Sequence, residues 1–245
     1  MRNLAVYQKE AFYDLLSLSR TPAFYLPALL FPLVFYVFFG VLLNYSGNSS
    51  SYMLVSYLCF GVMGPALFNF ASAVASDRVQ GWLTLKQLSP MPMAAYVFAK
   101  YFSSLVFSLI IALALFAVAA LFAQVQLQLW QWFSLLAIAL LGTFPFALIG
   151  LLLGLCFSDK AAPAVVNLVY LPMAFLSGLW VPVMYLPSAI QFLAPALPAY
   201  HFAQLSYAVI GAQQSASLWP HVLYLLAFSA CLFAAIAWRY NRLYK

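Results

Sequence analysis

Charge is the scarcest feature of this sequence: four acids and ten bases among 245 residues, or 6% charged. A water-soluble domain carries about a quarter. So few charged side chains cannot cover a folded surface in water, which excludes a soluble globular protein. Cysteine is scarce as well. Cys59, Cys156 and Cys231 stand singly inside apolar runs, without CxxC spacing or nearby ligand partners. They argue against a disulfide framework or a metal site and read as small buried hydrophobes. Catalytic motifs are missing too. No glycine is followed by lysine, so the chain has no phosphate-binding P-loop of its own, and no HExxH, paired carboxylates or Ser/His/Asp set appears. The chain reads as a non-enzyme that binds no cofactor or metal itself.

What is present in excess is apolar surface: 67% of residues are hydrophobic. A bilayer core of about 30 Å needs roughly 20 apolar residues in a helix. Six runs meet this need, at about 23–43, 53–75, 101–123, 132–157, 164–185 and 219–238. Lipid offers no partner to backbone N–H and C=O groups, so such runs must be helical. The alternation expected of a membrane barrel is absent. The expected fold is therefore an all-α polytopic membrane protein, a single transmembrane domain over residues 1–245 with six spans.

The few charges orient it. Arg2, Lys9 and Arg20 precede span one; Arg78, Lys86 and Lys100 lie between spans two and three. Lys160 lies between spans four and five, and Arg239, Arg242 and Lys245 follow span six. The opposite loops, 44–52, 124–131 and 186–218, contain no Asp, Glu, Lys or Arg. The positive-inside rule then places both termini and the basic loops in the cytoplasm. This topology explains the net charge of +6 better than nucleic-acid binding does. The first twenty residues carry five charges and lack a compact apolar core, which argues against a cleavable signal peptide.

Residues 3–20 predict an amphipathic helix in the inner interface, with Leu4, Ala11, Leu15 and Leu18 at helical spacing. Gly150 and Gly154 form a GxxxG in span four, a pattern that permits close helix contact. No acid or base falls mid-membrane, where proton- and ion-driven transporters keep their coupling groups. Asn69 in span two and Asn167 in span five are the candidates for a lined substrate path, helix-to-helix hydrogen bonding being the plainer alternative. The outer segment 186–218 is apolar enough to enter the membrane, but Pro182, Pro187, Pro195 and Pro198 break the chain around it into pieces too short to cross. It reads as a re-entrant helical hairpin or, alternatively, as an amphipathic loop on the outer surface.

Two motifs, together with this topology, resemble the membrane permease subunits of type-2 ABC exporters, the group covering drug, antibiotic and polysaccharide exporters. The first is the polar stretch within 76–100: an acid–base pair, a glycine and a leucine, a proline turn and a lysine opening span three. Here these are Asp77, Arg78, Gly81, Leu83, Pro90 and Lys100, with Lys86 between them. Where the family often has a second acid before the glycine, this chain has Val79 and Gln80. The second is Gly178, Pro182, Pro187 and Pro198 with Tyr200, before the last span. The resemblance covers nearly the whole chain. It implies an exporter subunit in a bacterial inner membrane, powered by two copies of a cytoplasmic ATPase that bind ATP and Mg. It also implies a second permease subunit, most simply in a homodimer, and a coupling loop at 76–100 that contacts the ATPase. Asp77 and Arg78 are expected to start a short coupling helix there. The neutral, aromatic interior favours an amphipathic or lipid-like cargo. A secondary transporter or channel, or a membrane scaffold that transports nothing, are the other readings of composition alone.

Overall fold

The computed structural model describes residues 2–43, 50–212 and 217–244, and among them there is no β-strand. In chain order the helices are α1 (Arg2–Ser19), α2 (Pro22–Phe35), α3 (Ser50–Val79), α4 (Trp82–Leu88) and α5 (Met93–Leu121). They continue as α6 (Leu129–Cys156), α7 (Ala162–Leu176), α8 (Ser188–Leu193), α9 (Pro198–Val209) and α10 (Trp219–Tyr244). Helix α2 runs on without a break as a π-helix over Tyr36–Leu42. Among the described residues, α3, α5, α6 and α10 are long and apolar enough to cross a membrane; Leu26–Leu42 and Ala162–Leu176 are shorter apolar helices. The chain is thus a polytopic membrane protein. Most of the outer loop expected at 44–52 lies outside the described residues.

Helix α3 is the axis of the bundle, most of its length being buried against α2, α5, α6, α7 and α9. Small residues make this possible. A Cβ at Gly150 of α6 would stand 2.5 Å from the Leu67 carbonyl oxygen, and one at Gly154 would stand 2.8 Å from Val74 Cβ. Nothing larger than hydrogen fits there, so the GxxxG of α6 is the seam against α3. Dispersion contacts between close backbones replace the hydrophobic driving force that lipid removes. Helix α10 is peripheral by contrast, with Leu223, Leu226, Phe233 and Trp238 mostly exposed, as suits a lipid-facing helix.

The structure corrects two expected boundaries. The span expected at 164–185 is α-helical only over Ala162–Leu176, with a separate 3-10 turn at Val183–Tyr185, and Pro182 lies beyond the α-helix rather than within it. At 1.5 Å per residue, this helix is about 22 Å long, short of a full crossing. It stops at a Schellman turn: Gly178 N–H donates to the Phe175 carbonyl and Leu179 N–H to the Ala174 carbonyl, both at 3.1 Å. Gly178 has φ +83°, and a Cβ there would approach Val183 Cγ2 to 2.4 Å, so only glycine serves. The second correction concerns 76–100. Most of that stretch is helix: Asp77 and Arg78 lie in the last turn of α3, and Lys100 lies in the second turn of α5. The connection itself is confined to residues 80–92 with α4 inside it.

Candidate functional site

The charged end of the bundle is built around the α3–α4–α5 turn. Gly81, at φ +80°, lets the chain leave α3 and start α4 at once. The Ser89 hydroxyl donates to the Lys86 carbonyl at 2.7 Å and accepts from Met91 N–H at 3.3 Å, closing α4 before Pro90 and Pro92. Leu83 is buried and anchors the short helix to the bundle. Its other side is apolar and exposed. Val79, Trp82, Leu85 and Leu88, spaced by three, are 53%, 52%, 57% and 81% exposed. Trp82, Leu85 and Leu88 recur at helical spacing on α4, and Val79 ends α3 just before them; exposed apolar groups of this kind occur at protein and membrane contacts.

The charged side chains of this region turn inward instead. Lys86 pairs with Glu10 of α1. Lys100 reaches Asp14 of α1 at 2.5 Å and Asp77 at 3.9 Å, and the Tyr96 hydroxyl donates to Asp77 at 2.7 Å. The Asp14 and Lys100 side chains are only 9% and 12% exposed. These ion pairs clamp the amphipathic helix α1 along α5 and under α4. Arg78 turns the other way and donates to the Phe157 carbonyl at the end of α6, at 2.6 Å. Of the residues expected to couple, then, Asp77, Arg78, Lys86 and Lys100 have partners within the chain. Glu10, Asp14, Tyr96 and the apolar ridge were not singled out from the sequence. The i, i+4 spacing of Glu10 and Asp14 on one face of α1 was the available signal.

The two asparagines part company. Asn69 is buried, and its amide donates to the Lys100 carbonyl at 3.0 Å and to Ser104 Oγ at 3.1 Å, tying α3 to α5. Asn167 is exposed on α7 and lines a cavity of about 550 Å³ between α2, α3 and α7. Phe31, Phe60, Phe68 and Tyr170 supply its aromatic wall, with Thr21 and Ser72 as further polar groups. Tyr170 is held in place by donating to the Phe60 carbonyl at 2.8 Å while its ring stacks on Phe60 at 4.7 Å.

At the far end, the segment after α7 folds into short pieces. Pro187 precedes α8, whose Phe192 is 85% exposed, and Pro198 opens α9. Helix α9 is the buried arm. Phe202 fills the space over Gly142 of α6, and the Tyr207 hydroxyl meets Ser56 Oγ of α3 at 2.7 Å. Tyr200 packs edge-on against His201, whose Nδ1 faces His221 Nδ1 of α10 at 2.8 Å. His201 Nε2 donates to the Pro195 carbonyl at 2.8 Å, so in the neutral pair His221 supplies the proton between the rings. No cluster of three or more His, Cys, Asp or Glu suited to a metal occurs among the described residues.

The described residues thus form an all-helical membrane bundle, with a short apolar-faced helix at its charged end and a cavity between its helices. The chain matches the family model "ABC-2 type transporter" over residues 11–210 and belongs to that family. It is also 26% identical over 227 residues to "Putative transport permease YvfS" of Bacillus subtilis (strain 168), covering 91% of this chain and 92% of that protein. The resemblance read from the motifs is therefore correct at the level of family, and the chain is a multi-pass transport permease.

Proposed function

We propose that this chain is the membrane subunit of an ATP-driven exporter in the bacterial cytoplasmic membrane. Six spans cross the bilayer: 22–42, α3, α5, α6, α7 with the residues that follow it, and α10. Both termini face the cytoplasm, α1 lies in the inner interface, and 186–218 re-enters the membrane from outside. One observation carries the reading. The end of the bundle where the basic residues gather also presents the exposed apolar side chains of Val79, Trp82, Leu85 and Leu88, on the connection between α3 and α5. A cytoplasmic ATPase groove is the occupant that such a surface fits. The coupling contact thus belongs to Trp82, Leu85 and Leu88, while Glu10, Asp14, Asp77, Lys86 and Lys100 fix α4 to α1 and α5. Closing the ATPase dimer on ATP and Mg would move α4 and α1 as one body and shift the spans.

Asn167 supports a second copy of the chain. An amide exposed in the second turn of a short apolar helix is costly against acyl chains. A homodimer meeting across the α2 and α7 faces would give it a polar neighbour and enclose the aromatic cavity as the substrate route. That wall suits an amphipathic or lipid-like substrate. Reconstitution tests the proposal: vesicles holding the chain and its ATPase should release a loaded amphipathic dye only with ATP and Mg. Release without ATP, or release driven by an ion gradient alone, would instead make the chain a channel or a secondary transporter.

A further inference from the structure

Beyond the coupling ridge and the transport cavity, the charged end of the bundle holds a second arrangement of basic groups. Arg78 of α3 and Arg239 of α10 are far apart in sequence, yet both reach the C-terminal end of α6. Arg78 Nη2 donates to the Phe157 carbonyl at 2.6 Å, and Arg239 Nε donates to the Leu155 carbonyl at 3.3 Å. Helix C-termini leave carbonyls unpaired and attract cations, which accounts for both bonds. It does not exhaust either guanidinium, since each carries five N–H donors. Arg78 Nε is buried with no hydrogen-bond partner among the described residues. Neither arginine has an ion-pair partner there: Glu10, Asp14 and Asp77 are engaged with Lys86 and Lys100, and Asp159, the fourth acid, accepts from the Lys160 N–H.

Beside these carbonyls lies a largely apolar cavity of about 230 Å³, between α10 and the helices α3, α4, α5 and α6. Leu151, Leu155, Phe233 and Ile236 line it, and Asn241 gives it one polar edge. Leu155 belongs to both features: its side chain lines the cavity while its carbonyl accepts from Arg239. Two cations on the carbonyls that end α6, one of them bonded to a residue that lines an apolar slot, match a molecule with an anionic head and a hydrocarbon tail.

We propose that this is a binding site for an anionic phospholipid, with its phosphate between Arg78 and Arg239 and one acyl chain in the slot beside α10. A zwitterionic lipid carries an ammonium beside its phosphate and so offers the guanidiniums no net counter-charge, whereas an anionic head keeps its full charge for charge-assisted bonds from both. The bound lipid would wedge α10, the most loosely packed of the long helices, against α6. The site is separate from the transport cavity, which lies among α2, α3 and α7. Its placement in the cytoplasmic leaflet rests on the orientation proposed above; lipid selectivity does not.

The test uses the full chain in neutral detergent, with phosphatidylglycerol as probe and phosphatidylcholine as comparison, and native mass spectrometry to count bound lipid. One phosphatidylglycerol per chain should be retained, with about tenfold preference over phosphatidylcholine. Arg78→Gln with Arg239→Gln keeps donors for the α6 carbonyls but should abolish the preference. Ala237→Trp, on an exposed position that lines the slot, should lower phosphatidylglycerol retention without changing charge. Because Ala237 is on the periphery, this variant decides the matter if the arginine variant does not fold. Glycerol phosphate, a head without tails, should not displace the lipid. Equal retention of the two lipids would overturn the proposal, and so would wild-type preference in a folded variant. Full displacement by glycerol phosphate would overturn it as well, making the site one for free phosphate.

Discussion

Replacing Leu85 and Leu88 together by Asp should weaken association with the ATPase subunit by about a hundredfold or more, the scale set by removing two interface anchors. Membrane insertion should be unaffected, because both side chains are exposed, Leu88 at 81%. Both have little packing to lose, being 57% and 81% exposed, whereas a docked surface would lose apolar contact and bury two carboxylates. Co-purification of tagged permease with the ATPase measures the effect. The matched comparison is Arg78→Ala with Lys86→Ala. Those side chains bond within the chain, to Phe157 and Glu10, so their loss should loosen α4 and lower transport more than it lowers association. If the double Asp variant bound the ATPase normally while the basic double mutant did not, the contact would belong to the charges.

The second large effect should come from Lys100→Met. Lys100 is the common partner of Asp14 and Asp77, and both it and Asp14 are about nine-tenths buried. Taking one member from a buried ion pair leaves an uncompensated charge and costs about 3–5 kcal/mol. For a chain of this size that is a fall in Tm of about 10 °C, readable by thermal unfolding in detergent. Lys86→Met is the internal control. The Lys86 and Glu10 side chains are 27% and 23% exposed, and a pair so wet contributes about 1 kcal/mol or less. Asp14→Asn combined with Lys100→Met should recover part of the loss, because it removes one stranded carboxylate. Equal, small effects from the two lysines would mean that α1 is not clamped by charge.

Helix in the apolar runs was legible because lipid allows the backbone no other solution, although only four of the described helices are long and apolar enough to cross a membrane. Their ends were less so. Asp77 and Arg78 look like loop residues because they are charged, but a helix need not stop where hydrophobicity stops, and α3 carries both in its final turn. In α7 the opposite happened: the apolar run continues past Leu176, and the Gly178 turn ends the helix inside it. Gly178 was visible in the sequence, yet its positive φ could not be read from residue types.

Charge partners were hidden for another reason. Asp14 meets Lys100 across 86 residues of chain, a non-local contact with no periodic signature. The ridge did have one, the three-residue spacing of Val79, Trp82, Leu85 and Leu88, but the neighbouring charges drew the functional reading to themselves. Asn69 and Asn167 are alike in sequence context, each a single amide in an apolar span. Only packing distinguishes the one that ties two helices from the one that borders a cavity.

The most direct test of the central claim is sidedness. In a background with Cys59, Cys156 and Cys231 replaced by Ser, a membrane-impermeant maleimide should reach Tyr185→Cys in intact cells. It should reach Leu88→Cys only after the membrane is opened. ATPase bound to the opened membranes should then protect Leu88→Cys. Labelling of Leu88→Cys in intact cells, with Tyr185→Cys protected, would put the ridge on the wrong face and contradict its role as the ATPase contact.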